Sequence, residues 1–244
     1  MSVNNSYNVD LKQLLESGAH FGHKTSRWHP KMAPYIHSKR DGSHIIDLVK
    51  TKENLEVALN QIEKITSANK QILLVGTKKQ AKSIINELAK DTKMPFVSER
   101  WLGGMLTNHP TMDKRIKHLK ELELKLASGE LANKYNKLEI KKITDEIDLL
   151  NNIYGGIKDM NGMPAAVFII DVHDEKNAVL EAKKLHIPII GITDTNSDPT
   201  VITWPIPAND DAIKSLTLIC GYIKQAILKG QASIKTNNKI TEGK

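Results

Sequence analysis

The sequence is poor in several residue types, and each shortage excludes something. It has one cysteine in 244 residues, so no internal disulfide framework and no cysteine-based zinc finger can form. Aromatic residues make up 5% of the chain. No apolar run approaches the ~18 residues that a membrane-spanning helix needs. Residues Met1 to Asp10 are polar, with no apolar stretch of the kind a secretory leader carries. Together these absences point to a soluble chain in a reducing compartment. The apolar fraction of 40% is enough for a packed core, and the length suits one large domain or a domain with a smaller element.

Acids are also in the minority. Lys and Arg total 35 against 28 Asp and Glu, a formal charge of +7. A basic balance suggests a polyanionic partner, because Lys and Arg displace phosphate counterions. The excess is concentrated. An arm over 20–47 holds Lys24, Arg27, Lys31, Lys39 and Arg40, with His20, His23, His29, His37 and His44. The tail from Lys224 to Lys244 carries five lysines against one Glu, whereas Asp171 to Asp211 holds eight acids. This distribution predicts two unlike faces, one basic and one acidic.

Catalytic signatures are missing as well. The segment Gly76-Thr77-Lys78-Lys79 follows an apolar run, but neither a P-loop nor a G-x-G-x-x-G fingerprint fits its residues. No G-x-S-x-G elbow and no HExxH pattern occurs. His20, His23 and His29 have a spacing that can bind zinc, or their rings can meet bases and phosphates. Asp194-Thr195-Asn196-Ser197-Asp198-Pro199 reads either as an Asx-type turn or as oxygen ligands for a cation or a ribose, with Asp194, Asp198 and Asp210 as the cation set. With Asp171, Asp194 and Asp198 as ligands, an α/β enzyme acting on a nucleotide or sugar phosphate is the rival reading. Cys220 lies among Leu218, Ile219 and Ile223 and reads as a buried thiol.

The periodicities describe an α/β chain. Asp10 caps a short helix that ends at Gly18. Residues 20–47 lack a sustained period and read as an ordered loop with a short β element near His44 to Leu48. Apolar spacing predicts a helix over Thr51–Ala68 and another over about Gln80–Lys90. Strands are expected at Gln71–Gly76, Met94–Ser98, Ala165–Asp171 and Ile187–Asp194, with an edge segment at Val201–Pro207. Between them, leucines and isoleucines at three- and four-residue steps predict a helical hairpin of coiled-coil character over 109–150, inserted into one discontinuous α/β domain (1–108 and 151–229). A helix over Glu175–Leu185 follows, then a last helix capped at Asn209-Asp210-Asp211 and running to Lys229, and a disordered basic tail over 230–244. Alternating strands and helices imply a parallel sheet covered on both faces.

Lys24, Arg27, Trp28, His29 and Lys31 interleave cations with an indole, and Arg100-Trp101 repeats the pairing. Cations can neutralise phosphates while an indole stacks on a base; equally, both tryptophans can be core residues. The strings GAHFGH (18–23), RWHPKMAPYI (27–36), IIDL (45–48), ILLVGTKKQA (72–81), RWLGGMLTN (100–108), GGIKDM (155–160), DTNSDP (194–199) and IPANDDAI (206–213) occur in this order. They resemble the bacterial or organellar form of the small-subunit ribosomal protein S-two family over about residues 9 to 229. Ala208 stands where the family usually has Gly and Met105 where Thr is usual; Met112 and His109-Pro110 vary the loop before the hairpin.

The resemblance implies a Rossmann- or flavodoxin-like α/β domain with a protruding coiled-coil hairpin, and no enzymatic activity. It implies binding to 16S-type ribosomal RNA between head and body of the small subunit, entry late in assembly, and docking of ribosomal protein S-one where that protein exists. It implies neighbouring ribosomal proteins as partners, no cofactor, no small-molecule substrate, no membrane and no homo-oligomer, in the cytoplasmic ribosome or an organellar matrix or stroma. RNA contact is expected first from His20, His23, Lys24, Arg27, Trp28, His29, Lys31, Lys39 and Arg40. Lys78, Lys79 and Arg100 are expected to add to it from the strand ends.

Overall fold

The computed structural model describes the backbone of residues 7–129, 131 and 135–241, and side chains within these as far as residue 234. A five-stranded parallel sheet forms the frame. Its strands are β4 (Ile72–Val75), β5 (Phe96–Val97), β6 (Ala166–Ile170), β7 (Ile189–Thr193) and β8 (Trp204–Pro207), in the order β5-β4-β6-β7-β8. The order reverses between β4 and β6, as in flavodoxin-like sheets, and that reversal opens a crevice at the carboxyl ends of the strands. β4, β6 and β7 are buried throughout, which is why ILLV, AVFII and IIGIT read as continuous apolar runs rather than alternating ones.

Successive side chains on each strand serve opposite faces. Ile72, Leu74, Phe168, Ile170, Ile190 and Ile192 share one core with α1 (Leu11–Glu16), α2 (Leu48–Ser67), α3 (Lys82–Thr92) and α7 (Ile213–Thr241). Leu73, Val75, Val167, Ile169 and Ile189 share the other with α6 (Lys176–Lys184) and the segment around Trp101 and Leu106. The same core takes in Met112 and Leu119 of α4 (His109–Ala127) and Ile147 and Leu150 of α5 (Lys137–Tyr154). Pro110 in the first turn of α4 and an Asn136–Glu139 capping box on α5 start these two helices. Residues 130 and 132–134 of the expected hairpin lie outside the described residues.

Two expectations are corrected. The arm is not a loop with one β element but a three-stranded antiparallel sheet of β1 (Phe21–Lys24), β2 (Ile36–Arg40) and β3 (Ser43–Ile46), in the order β1-β3-β2. β2 turns into β3 through Asp41 and Gly42, both at positive φ (49° and 75°), the conformation of a two-residue type I′ hairpin. The last helix does not stop at Lys229 before a disordered tail; it continues through Gly230 to Thr241. Gly230 makes the continuation possible. A Cβ there would lie 1.9 Å from Thr66 Oγ1 and 2.7 Å from the Glu63 carbonyl of α2, so only a bare backbone passes this close. Gln231 then donates to the Thr92 carbonyl at 2.8 Å, tying the added turn to α3. Residues 242–244 lie outside the described residues.

Candidate nucleic-acid interface and the strand-end ion cluster

The crevice where such sheets hold ligands is occupied by the protein's own side chains. Lys78 follows β4, and its Nζ lies 3.0 Å from Asp171 Oδ2 at the end of β6, 2.7 Å from Asp210 Oδ1 and 2.6 Å from Asp211 Oδ1, both beyond β8. Asp171 adopts φ +64°, and its Oδ1 accepts from the Asp174 amide, the local bond that lets an aspartate sit in the left-handed region. His23, brought in on β1, places Nδ1 3.1 Å from Asp194 Oδ1 and Nε2 3.6 Å from Asp211 Oδ2. Two cations thus meet four carboxylates from three segments.

The electrostatics follow from this crowding. The hydrogen bond to Asp194 raises the His23 imidazole to about 9 against the opposing effect of burial. Burial alone would lower Lys78, but the bonds and charges of Asp210, Asp211 and Asp171 raise it well above the ordinary lysine range. Asp210 is pushed up to about 8, by burial and by the charges of Asp194 and Asp171, against the pull of Lys78. Its Oδ2 is buried and has no hydrogen-bond partner among the described residues. Among the described residues, two groups have ligand atoms within 4.8 Å of one another, as a cation would need: His23, Asp194 and Asp210, and Asp171, His173 and Asp174. The expected set with Asp198 is corrected on this point. Asp198 turns away to Lys31 Nζ at 2.7 Å and to the amide and hydroxyl of Thr200. Its carboxyl is lowered to about 2: burial would raise it, but the Lys31 and Thr200 bonds outweigh that.

Of the expected RNA-binding residues, His23, Lys31 and Lys78 are therefore engaged with carboxylates. Lys24, Arg27, Lys39, Arg40, Lys79 and Arg100 are exposed. Among the described residues no carboxylate pairs with Lys24, Arg27 or Lys39, and Arg40 reaches only its neighbour Asp41 at 3.6 Å. His20 is half-buried with its ring 4.0 Å from that of Phe21, and His29 caps the next turn by accepting from the Lys31 amide. Trp28 is half-buried against His44, ring centres 5.0 Å apart, with Lys39 Nζ 5.8 Å from its ring.

Trp101 is a core residue. Its indole donates to Glu181 on α6 at 3.0 Å, and the same carboxylate accepts from the amides of Gly104, Leu106 and Thr107. Burial would raise Glu181, yet these bonds hold it below the ordinary range. Sequence reasoning missed Glu181 and Asp211. No local pattern marks either, because their partners lie 74 to 77 residues away for the loop amides and 133 positions away for Lys78.

A family model described as Ribosomal protein S2 matches residues 14–230. A small ribosomal subunit protein uS2 from Roseiflexus sp. is 49% identical over 223 residues, 91% of this chain and 85% of the relative. Another, from Dehalococcoides mccartyi, is 43% identical over 235 residues, 96% of each chain. With a flavodoxin-like sheet whose ligand crevice is closed by its own ion pairs, and with matches of this extent, the chain belongs to the ribosomal protein S2 family.

Proposed function

We propose that this structural, non-enzymatic ribosomal chain binds 16S-type ribosomal RNA through the three-stranded sheet, with Lys24, Arg27, Lys39 and Arg40 as the leading phosphate contacts. Lys79 and Arg100 extend the surface. The observation that carries the reading is that Lys24, Lys39 and Arg40 on the sheet and Arg27 in its β1–β2 connection are exposed, while Lys31 and Lys78 are held by carboxylates of the same chain. Contacts of this kind read phosphate and shape, since A-form RNA hides its base edges in a deep groove. Family membership supports a position between head and body, entry late in assembly and, where ribosomal protein S-one exists, its docking. α4 and α5, with Leu124, Leu138 and Leu149 exposed, form the protruding coiled-coil element of this reading.

The test is association of the full chain with small-subunit particles depleted of it, across a salt series. Replacing Lys24, Arg27, Lys39 and Arg40 by Ala should weaken association. It should also flatten the plot of log K against log salt by about 0.7–0.9 for each phosphate that is no longer neutralised. An unchanged affinity and slope would remove the arm from the interface.

A further inference from the structure

We propose that the turn from Asp194 to Thr200 is a template that shapes the basic arm, with Thr195 and Asp198 as positioning residues for the RNA contact; this rests on the RNA-binding reading above. The turn has the composition of a ligand loop, but its acceptors face the arm. Thr195 Oγ1 accepts the His23 amide at 2.8 Å and its carbonyl accepts the His29 amide at 2.7 Å. Asp198 Oδ2 accepts from Lys31 Nζ at 2.7 Å, and the same ammonium reaches Thr200 Oγ1 at 3.0 Å. Gly22 lies directly over the turn: a Cβ there would sit 2.5 Å from Thr195 Cγ2.

The arm needs such a support. Residues 25–35, between β1 and β2, make few sheet bonds of their own, and they carry Arg27, Trp28 and Lys31. They are pinned at their start by His23, at their middle by His29 and Lys31, and by Met32, which is fully buried. The backbone that presents Lys24 and Arg27 therefore takes its course from the turn.

The sign of one substitution separates positioning from simple electrostatics. Asp198 is an acid beside a phosphate-binding surface, so charge alone predicts tighter binding to a polyanion when it is removed. Positioning predicts the reverse. In the full chain, Asp198→Ala should weaken association with depleted small-subunit particles about threefold to fivefold, the scale of one partly exposed ion pair. It should also speed hydrogen exchange at the His29 amide. The paired exchange of Lys31→Asp with Asp198→Lys keeps the net charge, reforms the bridge in reverse and should recover most of the affinity. Asp198→Asn, which retains the Thr200 cap, serves if alanine unfolds the turn.

An affinity that is unchanged or raised overturns the inference. Lys24→Ala with Arg27→Ala is measured alongside. If that pair also leaves association unchanged, it is the RNA-binding reading that fails. The exchange rate of His29 then decides templating alone: acceleration in Asp198→Ala supports it, and an unaltered rate overturns it.

Discussion

Lys78 and Lys79 are adjacent, share a side-chain type and have opposite fates. The Lys78 ammonium is enclosed by Asp171, Asp210 and Asp211, whereas Lys79 projects into solvent. Lys78→Met would strand those carboxylates and should cost about 3–5 kcal/mol of unfolding free energy, read by denaturant titration. Lys79→Ala should stay within about 0.5 kcal/mol, as for an isolated surface change. His23 sets a pH dependence. Its imidazole rises from an ordinary 6.5 to about 9 on folding, so the folded chain holds the proton more tightly than the unfolded one. That stabilisation is complete below pH 6.5 and disappears as pH rises through 9. Stability should fall by on the order of 2 kcal/mol across that window. His23→Gln should flatten the fall between pH 6.5 and 9. None of this is legible locally. A lysine after a strand gives no sign that acids 93, 132 and 133 positions later will close on it; the order of the strands brings them together.

Elements are legible in proportion to how much of their burial is local. The parallel strands stand out because both faces are covered and apolar residues run without a break. The arm sheet does not, because FGHK, IHSKR and SHII are short, largely polar and paired on one layer. Asp41-Gly42 is its one local sign, a dipeptide suited to positive φ at two successive positions. The end of α7 is hidden for a different reason. Glycine in a helical pattern normally marks a stop, but at Gly230 the missing side chain is what admits α2. Gly230→Val should therefore destabilise the α2–α7 packing by about 1–3 kcal/mol, the cost of overpacking, even though valine removes a flexible residue. A thermal midpoint no lower than that of the parent chain would show that α7 can shift freely.

For the whole molecule, the charge count misleads in one respect. Sequence alone places the basic arm and the acidic stretch over 171–211 on separate faces. Folded, they press together: His23 on Asp194, Lys31 on Asp198, and Lys78 on Asp171 and Asp210. The cations around the arm are thus sorted: Lys31 and Lys78 are held by acids of the same chain, while Lys24, Arg27, Lys39 and Arg40 stay exposed. The bonds that tie the arm to the turn at Asp194–Thr200 also impose an order in time. Lys31 is bonded to a residue 167 positions later in the chain. At about 5–20 residues per second of synthesis, the arm waits roughly 8–33 s for the partner that shapes it. Nascent chains halted before Asp194 should be cut by trypsin after Lys31, and finished chains should resist there, because Met32 is then buried. A chain made for the ribosome thereby leaves the ribosome that makes it with its basic surface unset until synthesis is nearly over.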